Sequence, residues 1–154
     1  MKKIILGFTL LSVLFIISCI STNNTSKTEG IKIGKQVEGK NQITASENTL
    51  DDCFKRFDLF KNSNPGQIEI KSLQFENGEN KHFLYANDLN SGEIAVKMRV
   101  ELSLKGNVFT ILNKGKGVTA EACTGNKAKF FTKRTGCDCS EVVEEKCNHA
   151  ITMD

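Results

Sequence analysis

Between Ile94 and Leu104 the chain alternates without a break: Ile94, Val96, Met98, Val100, Leu102 and Leu104 interleave with Ala95, Lys97, Arg99, Glu101 and Ser103. A helix would scatter these apolar side chains around its axis, whereas a strand puts them all on one face. The segment therefore predicts a long strand with one face in a core and the charged face in solvent. Such a strand needs partners, and the short connections around it supply antiparallel ones.

Ile68, Ile70, Leu73 and Phe75 also follow a strand pattern, and Asn77-Gly78 turns the chain into His82-Phe83-Leu84-Tyr85, a hairpin signature. After Gly106-Asn107, Val108 to Leu112, Val118 to Cys123 and Lys127 to Thr132 read as further strands of a meander. Upstream, Leu50, Cys53, Phe54, Phe57 and Phe60 recur at helical spacing, with Thr49 as N-cap and Asp51 and Asp52 in the first turn. Asn62 to Gly66 ends that stripe. Downstream, Asp138 and Glu141 fit a capping pattern that opens a short helix to about Asn148. The expected fold is α+β, an amino-terminal helix packed on an antiparallel β-meander with a short carboxyl-terminal helix. It is broadly similar to cystatin-like lipoprotein domains; a small all-β sandwich or barrel is the alternative.

Lys2 and Lys3 precede Ile4 to Ile17, an apolar run interrupted only by Gly7, Thr9 and Ser12. As a helix these roughly 14 residues reach about 21 Å, short of the roughly 30 Å hydrocarbon core, so the run reads as an export signal. Phe15-Ile16-Ile17-Ser18-Cys19 resembles the lipobox of bacterial lipoproteins. The resemblance implies diacylglycerol transfer to the Cys19 sulfur, cleavage before Cys19 and acylation of the new amino group, and it covers only the start of the chain. Two or three acyl chains hold a protein on a membrane where one does so marginally.

Ser21 to Gly30 carries no apolar residue, and with the glycines that follow it reads as a tether to Ser46, with a short edge strand through Ile31, Ile33 and Val37 as the alternative. The expected organisation is thus a signal peptide over 1–18, an acylated Cys19 with a tether over 19–46, and one small domain over 47–154. Removing Lys2 and Lys3 from 21 basic side chains leaves 19 against 18 acidic ones, which argues against bulk nucleic-acid binding.

Five cysteines remain beyond Cys19: Cys53, Cys123, Cys137, Cys139 and Cys147. In an exported chain this odd set predicts two disulfides and one free thiol. The expected bridges join the carboxyl-terminal segment to Cys123 and to Cys53, and Cys123 with Cys137 is the first expected pair; its loop of about 15 residues is worth roughly 3 kcal/mol. If 139–147 is helical, Cys139 and Cys147 lie about 12 Å apart and cannot pair. Two alternatives draw on the same residues. Cys137, Cys139, Cys147 and His149 form a possible tetrahedral zinc set, and the Cys137-x-Cys139 pair a possible redox site.

Lys114, Lys116, Lys127, Lys129, Lys133 and Arg134 are opposed within their segment only by Glu121, and adjacent strands would gather them into a patch for an anion or an acidic partner. Gly115-Lys116-Gly117 lacks the spacing of a phosphate loop, and neither His82 nor His149 belongs to a recognisable nucleophile motif. The sequence thus points to a non-catalytic, lipid-anchored envelope protein, at the outer membrane or cell surface rather than the inner membrane. Its covalent lipid is the one group attached, with no cofactor, and its ligand is a protein or an anion. The alternative is a metal or thiol-redox module.

Overall fold

The computed structural model describes residues 30–112, 117–141 and 147–153. The chain runs β1 (Ile31–Val37), β2 (Lys40–Ile43), α1 (Glu47–Lys55), a 3-10 turn (Asp58–Phe60), β3 (Pro65–Gln74), β4 (Asn80–Asp88), β5 (Val96–Lys105), β6 (Val108–Ile111), β7 (Thr119–Thr124), β8 (Lys129–Phe130), β9 (Cys137–Asp138) and β10 (Asn148–Met153). Strand makes up 52% of the described residues, and among them α1 is the one helix of seven residues or more.

β5 organises the sheet. β4 lies along one edge, from Asp88 opposite Val96 to His82 opposite Leu102. Its other edge is shared: β7 pairs with Val96 to Val100, and β6 with Ser103 to Lys105. From there β6 leads to β1 and β2, β4 to β3, and β7 to β10, all antiparallel. The sheet curls into a half-barrel until β2 meets β3, where Asn41 Nδ2 donates to Ile70 O at 3.2 Å and to Ser72 Oγ at 3.1 Å. That seam is side chain on backbone, not a ladder. The inner face carries Leu84, Met98, Val100, Phe109, Ile111 and Ala120, all buried.

The α+β expectation is overturned by this arrangement. Among the described residues no amino-terminal helix lies across the sheet. α1 follows two strands and is only nine residues long, lending Leu50, Cys53 and Phe54 to the core. Its N-cap is Ser46, whose Oγ accepts from Thr49 N at 3.3 Å, not Thr49 itself. The expected stripe continues past Lys55 as a 3-10 turn, so Phe57 and Phe60 reach the core from a tighter coil, Phe60 edge-on to Phe54 at 5.8 Å.

The tether boundary at Ser46 is also corrected, because β1 and β2 lie within 31–43 and Ile33 is fully buried. Gly34 explains why this stretch is glycine-containing without being a linker. A Cβ there would come within 2.2 Å of Gln42 O, so only glycine lets β2 approach.

The carboxyl-terminal helix is absent from the described residues. Cys137–Asp138 is strand, Cys139 and Cys147 are disulfide-bonded with Cα atoms 5.9 Å apart, and Asn148–Met153 extends the sheet beside β7. A helix over 139–147 would need about 12 Å between those Cα atoms. Residues 142–146 lie outside the described set.

Candidate functional site

Strand register assembles the outer face of the sheet in rows. Glu69 stands opposite Tyr85, Tyr85 opposite Arg99, Arg99 opposite Glu121, and Glu121 opposite Ile151. A neighbouring row runs Asn87, Lys97, Cys123, His149. Local alternation assigns this face to solvent, but part of it is covered. After β7 the chain leaves the sheet at Gly125, folds back over its outer side through β8 and β9, and returns as β10. Ala128 and Phe130 of this excursion are buried with Cys123, against Tyr85, Cys137 and Cys147.

Under the excursion lies a fully buried ion pair, Arg99 and Glu121, each 0% exposed. Arg99 Nε and Nη2 reach Glu121 Oε1 at 3.1 and 2.9 Å. Nη1 donates to Tyr85 Oη at 3.2 Å and Phe131 O at 3.0 Å, and Nη2 also to Arg134 O at 3.2 Å. All five guanidinium donors are thereby used. The guanidinium is sandwiched between the Phe83 and Phe130 rings, 4.6 and 4.4 Å from their centroids. Glu121 Oε2 accepts from Gly136 N at 2.9 Å and lies 3.0 Å from His149 Nε2. Gly136 has φ +104°, a backbone conformation open to glycine. This network clamps the excursion at Phe131, Arg134 and Gly136.

Beside the clamp the excursion and β3, β4 and β5 enclose a cleft of about 610 Å³. Its lining includes Lys71, Lys97 and Lys129, the Tyr85 and Phe130 rings, and the Gln67 and Asn87 amides. Lys71 Nζ sits 4.9 Å from the Tyr85 centroid and 2.6 Å from Glu69 Oε1. Lys97 donates to Ala128 O, and burial, with the charge of Lys129 adding to it, pushes its ammonium pKa down. Lys129 lies 3.3 Å from Glu141 on the solvent side. Gln67 occupies a bulge in β3 with φ +52°, a left-handed conformation in a non-glycine residue. There its Oε1 accepts from Asn87 Nδ2 at 2.5 Å. The bulge turns an amide toward the cleft rim, as bulges beside binding sites do.

Of the described members of the sequence-derived patch, Lys129 alone lines this cleft. Lys133 and Arg134 border a separate notch with Glu76 and Glu79, Arg134 lying 4.1 Å over the Phe131 ring. Lys127 is exposed elsewhere on the excursion, and Lys114 and Lys116 lie outside the described residues. Lys71 and Lys97 were not singled out from sequence, although each stands at an outward position of its own strand.

Cys123 pairs with Cys137, Cα atoms 5.7 Å apart, and Cys139 with Cys147. The expected bridge from the carboxyl-terminal segment to Cys53 is overturned, because Cys53 is a free thiol buried on the core-facing side of α1 and the four other cysteines pair among themselves. Burial pushes the Cys53 pKa up to about 11. The Cys139–Cys147 bond corrects the expectation that these two are too far apart. The zinc set is corrected as well, since Cys137, Cys139 and Cys147 are consumed in disulfides and no metal-holding group occurs among the described residues. His149 turns to Glu121. Cys137 and Cys139 each bond elsewhere, so the strained ring of the redox alternative does not form. His82 is a strand residue whose ring packs 5.3 Å from Phe109. No protein-family model matches the chain, and no curated protein and no solved structure gives a significant match.

Proposed function

We propose that this chain is a non-catalytic binding module, held at the bacterial envelope by a lipid on Cys19, whose cleft takes an anionic group between Lys71, Lys97 and Lys129. The observation that supports it is the cleft itself. Three lysines line it against one carboxylate, Glu69, which Lys71 engages. Lys129 pairs with Glu141, and Lys97, which lies close enough to Lys129 to feel its charge, has no carboxylate partner among the described residues, so an anion would relieve that repulsion. Gln67 and Asn87 at the rim, and the Tyr85 hydroxyl, which accepts from Arg99 and keeps its own proton to donate, add neutral donors.

Calorimetric titration with inorganic phosphate, sulfate and a short acidic peptide at low salt tests the cleft. Lys97→Gln and Lys129→Gln are expected to weaken the best of these roughly tenfold each, about 1.4 kcal/mol, and added salt to weaken it further. Unchanged affinity in both variants refutes the site. The anchor is tested apart from it, by detergent partitioning that Cys19→Ala should abolish.

A further inference from the structure

We propose that the outer edge of β10 pairs antiparallel with β10 of a second copy of this chain, giving a two-fold dimer through a continuous sheet. A curled sheet of this topology has three free edges, belonging to β2, β3 and β10. Two of them face each other and are sealed by Asn41 on Ile70 and Ser72. The third, along β10, has no partner strand among the described residues.

Proteins blunt open edges with charge, proline, bulges or brevity. β3 shows the pattern, with Glu69 and Lys71 on it and a bulge at Gly66–Glu69. β10 has none of these devices. Asn148-His149-Ala150-Ile151-Thr152-Met153 contains no Asp, Glu, Lys, Arg, Pro or Gly, and it pairs with β7 in six consecutive positions without a register shift. It also exposes two large apolar side chains on one face, Ile151 at 50% and Met153 at 72%.

A second copy suits this edge because a strand without formal charges meets its own image without like-charge repulsion. The faces restrict the register to every second setting, and pairing the exposed apolar side chains selects among those. Opposed residues in an antiparallel pair share a face, so outer face continues into outer face only when odd positions oppose odd positions. Centring the axis on Ile151 opposes Ile151 to Ile151 and Met153 to His149 of the second copy. The row Tyr85, Arg99, Glu121, Ile151 then runs on through the axis into its mirror sequence, and both exposed apolar side chains gain a cross-strand neighbour. The axis is perpendicular to the sheet, so the outer faces of both copies look the same way. One six-residue ladder contributes less than the roughly 1,600 Å² of a standard interface, so the dimer is weak and concentration-dependent.

Sedimentation velocity of the full domain from about 1 to about 500 μM, a span suited to an interface of this size, reads the dimer as a rise toward twice the monomer mass. Ile151→Lys, at an exposed position, should hold the chain monomeric throughout. Ile151→Cys tests the register: opposed Cα atoms lie about 4.5–5.5 Å apart, within disulfide reach, so mild oxidation should give a covalent dimer bridged 151 to 151 by peptide mapping. Asn148→Cys, about 20 Å from its counterpart in this register, should not cross-link. A chain monomeric at every concentration overturns the proposal. So does an association that Ile151→Lys leaves intact, or one in which Asn148→Cys cross-links as readily as Ile151→Cys.

Discussion

Replacing Arg99 by methionine removes the cation of the buried pair while keeping an unbranched apolar side chain between Phe83 and Phe130. Glu121 then stays fully buried with only Gly136 N and His149 as partners, and the Phe131 and Arg134 carbonyls lose their donor. Stripping one partner from a buried ion pair costs about 3–5 kcal/mol, because the remaining charge is desolvated without compensation. At about 4 °C per kcal/mol for a domain of this size, the melting temperature should fall by roughly 12–20 °C. The double variant Arg99→Met/Glu121→Leu should recover part of that loss, since a matched apolar pair leaves no stranded charge. Urea denaturation with the disulfides intact, run as a double-mutant cycle, measures both quantities. A loss below about 1 kcal/mol for Arg99→Met, or losses that simply add in the double variant, would refute the claim that this pair clamps the excursion.

Removing Cys123–Cys137 as a serine pair should cost about 3 kcal/mol and removing Cys139–Cys147 slightly less, since the effect grows only with the logarithm of loop length, as read from urea midpoints. Cys53 should resist alkylation until the domain unfolds, with mass spectrometry finding one modified site. The Cys53 thiol also carries a pH signature. Its folded pKa lies above the unfolded value of 9.0, at about 11, so its contribution is intact below pH 9 and is lost as pH rises toward 11, by roughly 2–3 kcal/mol. Cys53→Ala should flatten that alkaline slope in urea midpoints taken from pH 8 to 11. Gly34→Ala should destabilise by about 1–3 kcal/mol, because its methyl meets a backbone oxygen that moves only with the whole hairpin.

Local pattern was a good guide to the strands and a poor guide to what covers them. The alternation through β5 places Met98, Val100 and Leu102 inward, as the period of two requires. The same alternation assigns Arg99 to solvent, and nothing within ten residues of it corrects that. Its partners Glu121, Phe131 and Arg134 come from the other side of the central strand, brought there by a return of the chain that leaves no periodic mark. Asp138 with Glu141 and Thr49 with Asp51 and Asp52 look like helix starts. At the first, ladder pairing and a disulfide override local preference; at the second, another capping serine lies three residues upstream. Ile31, Ile33 and Val37 give only a weak strand signal beside the tether reading, because polar, glycine-containing surroundings mask a strand whose glycine serves close packing. In the cleft, Lys129 was legible as one of a run of cations. Lys71 and Lys97 were not, since strand register and not sequence distance sets them beside it.

The start of β1 at Ile31 fixes a length that bears on the proposed anchor. Twelve peptide units separate Cys19 from Ile31, and at about 3.5 Å each they span at most about 42 Å, whatever path they take. A tether running to Ser46 would have allowed about 95 Å. If Cys19 carries the proposed lipid, the domain is confined to a shell close above the headgroups. A partner for its cleft would then have to come down to the bilayer, the leash being too short for the domain to go out and meet it.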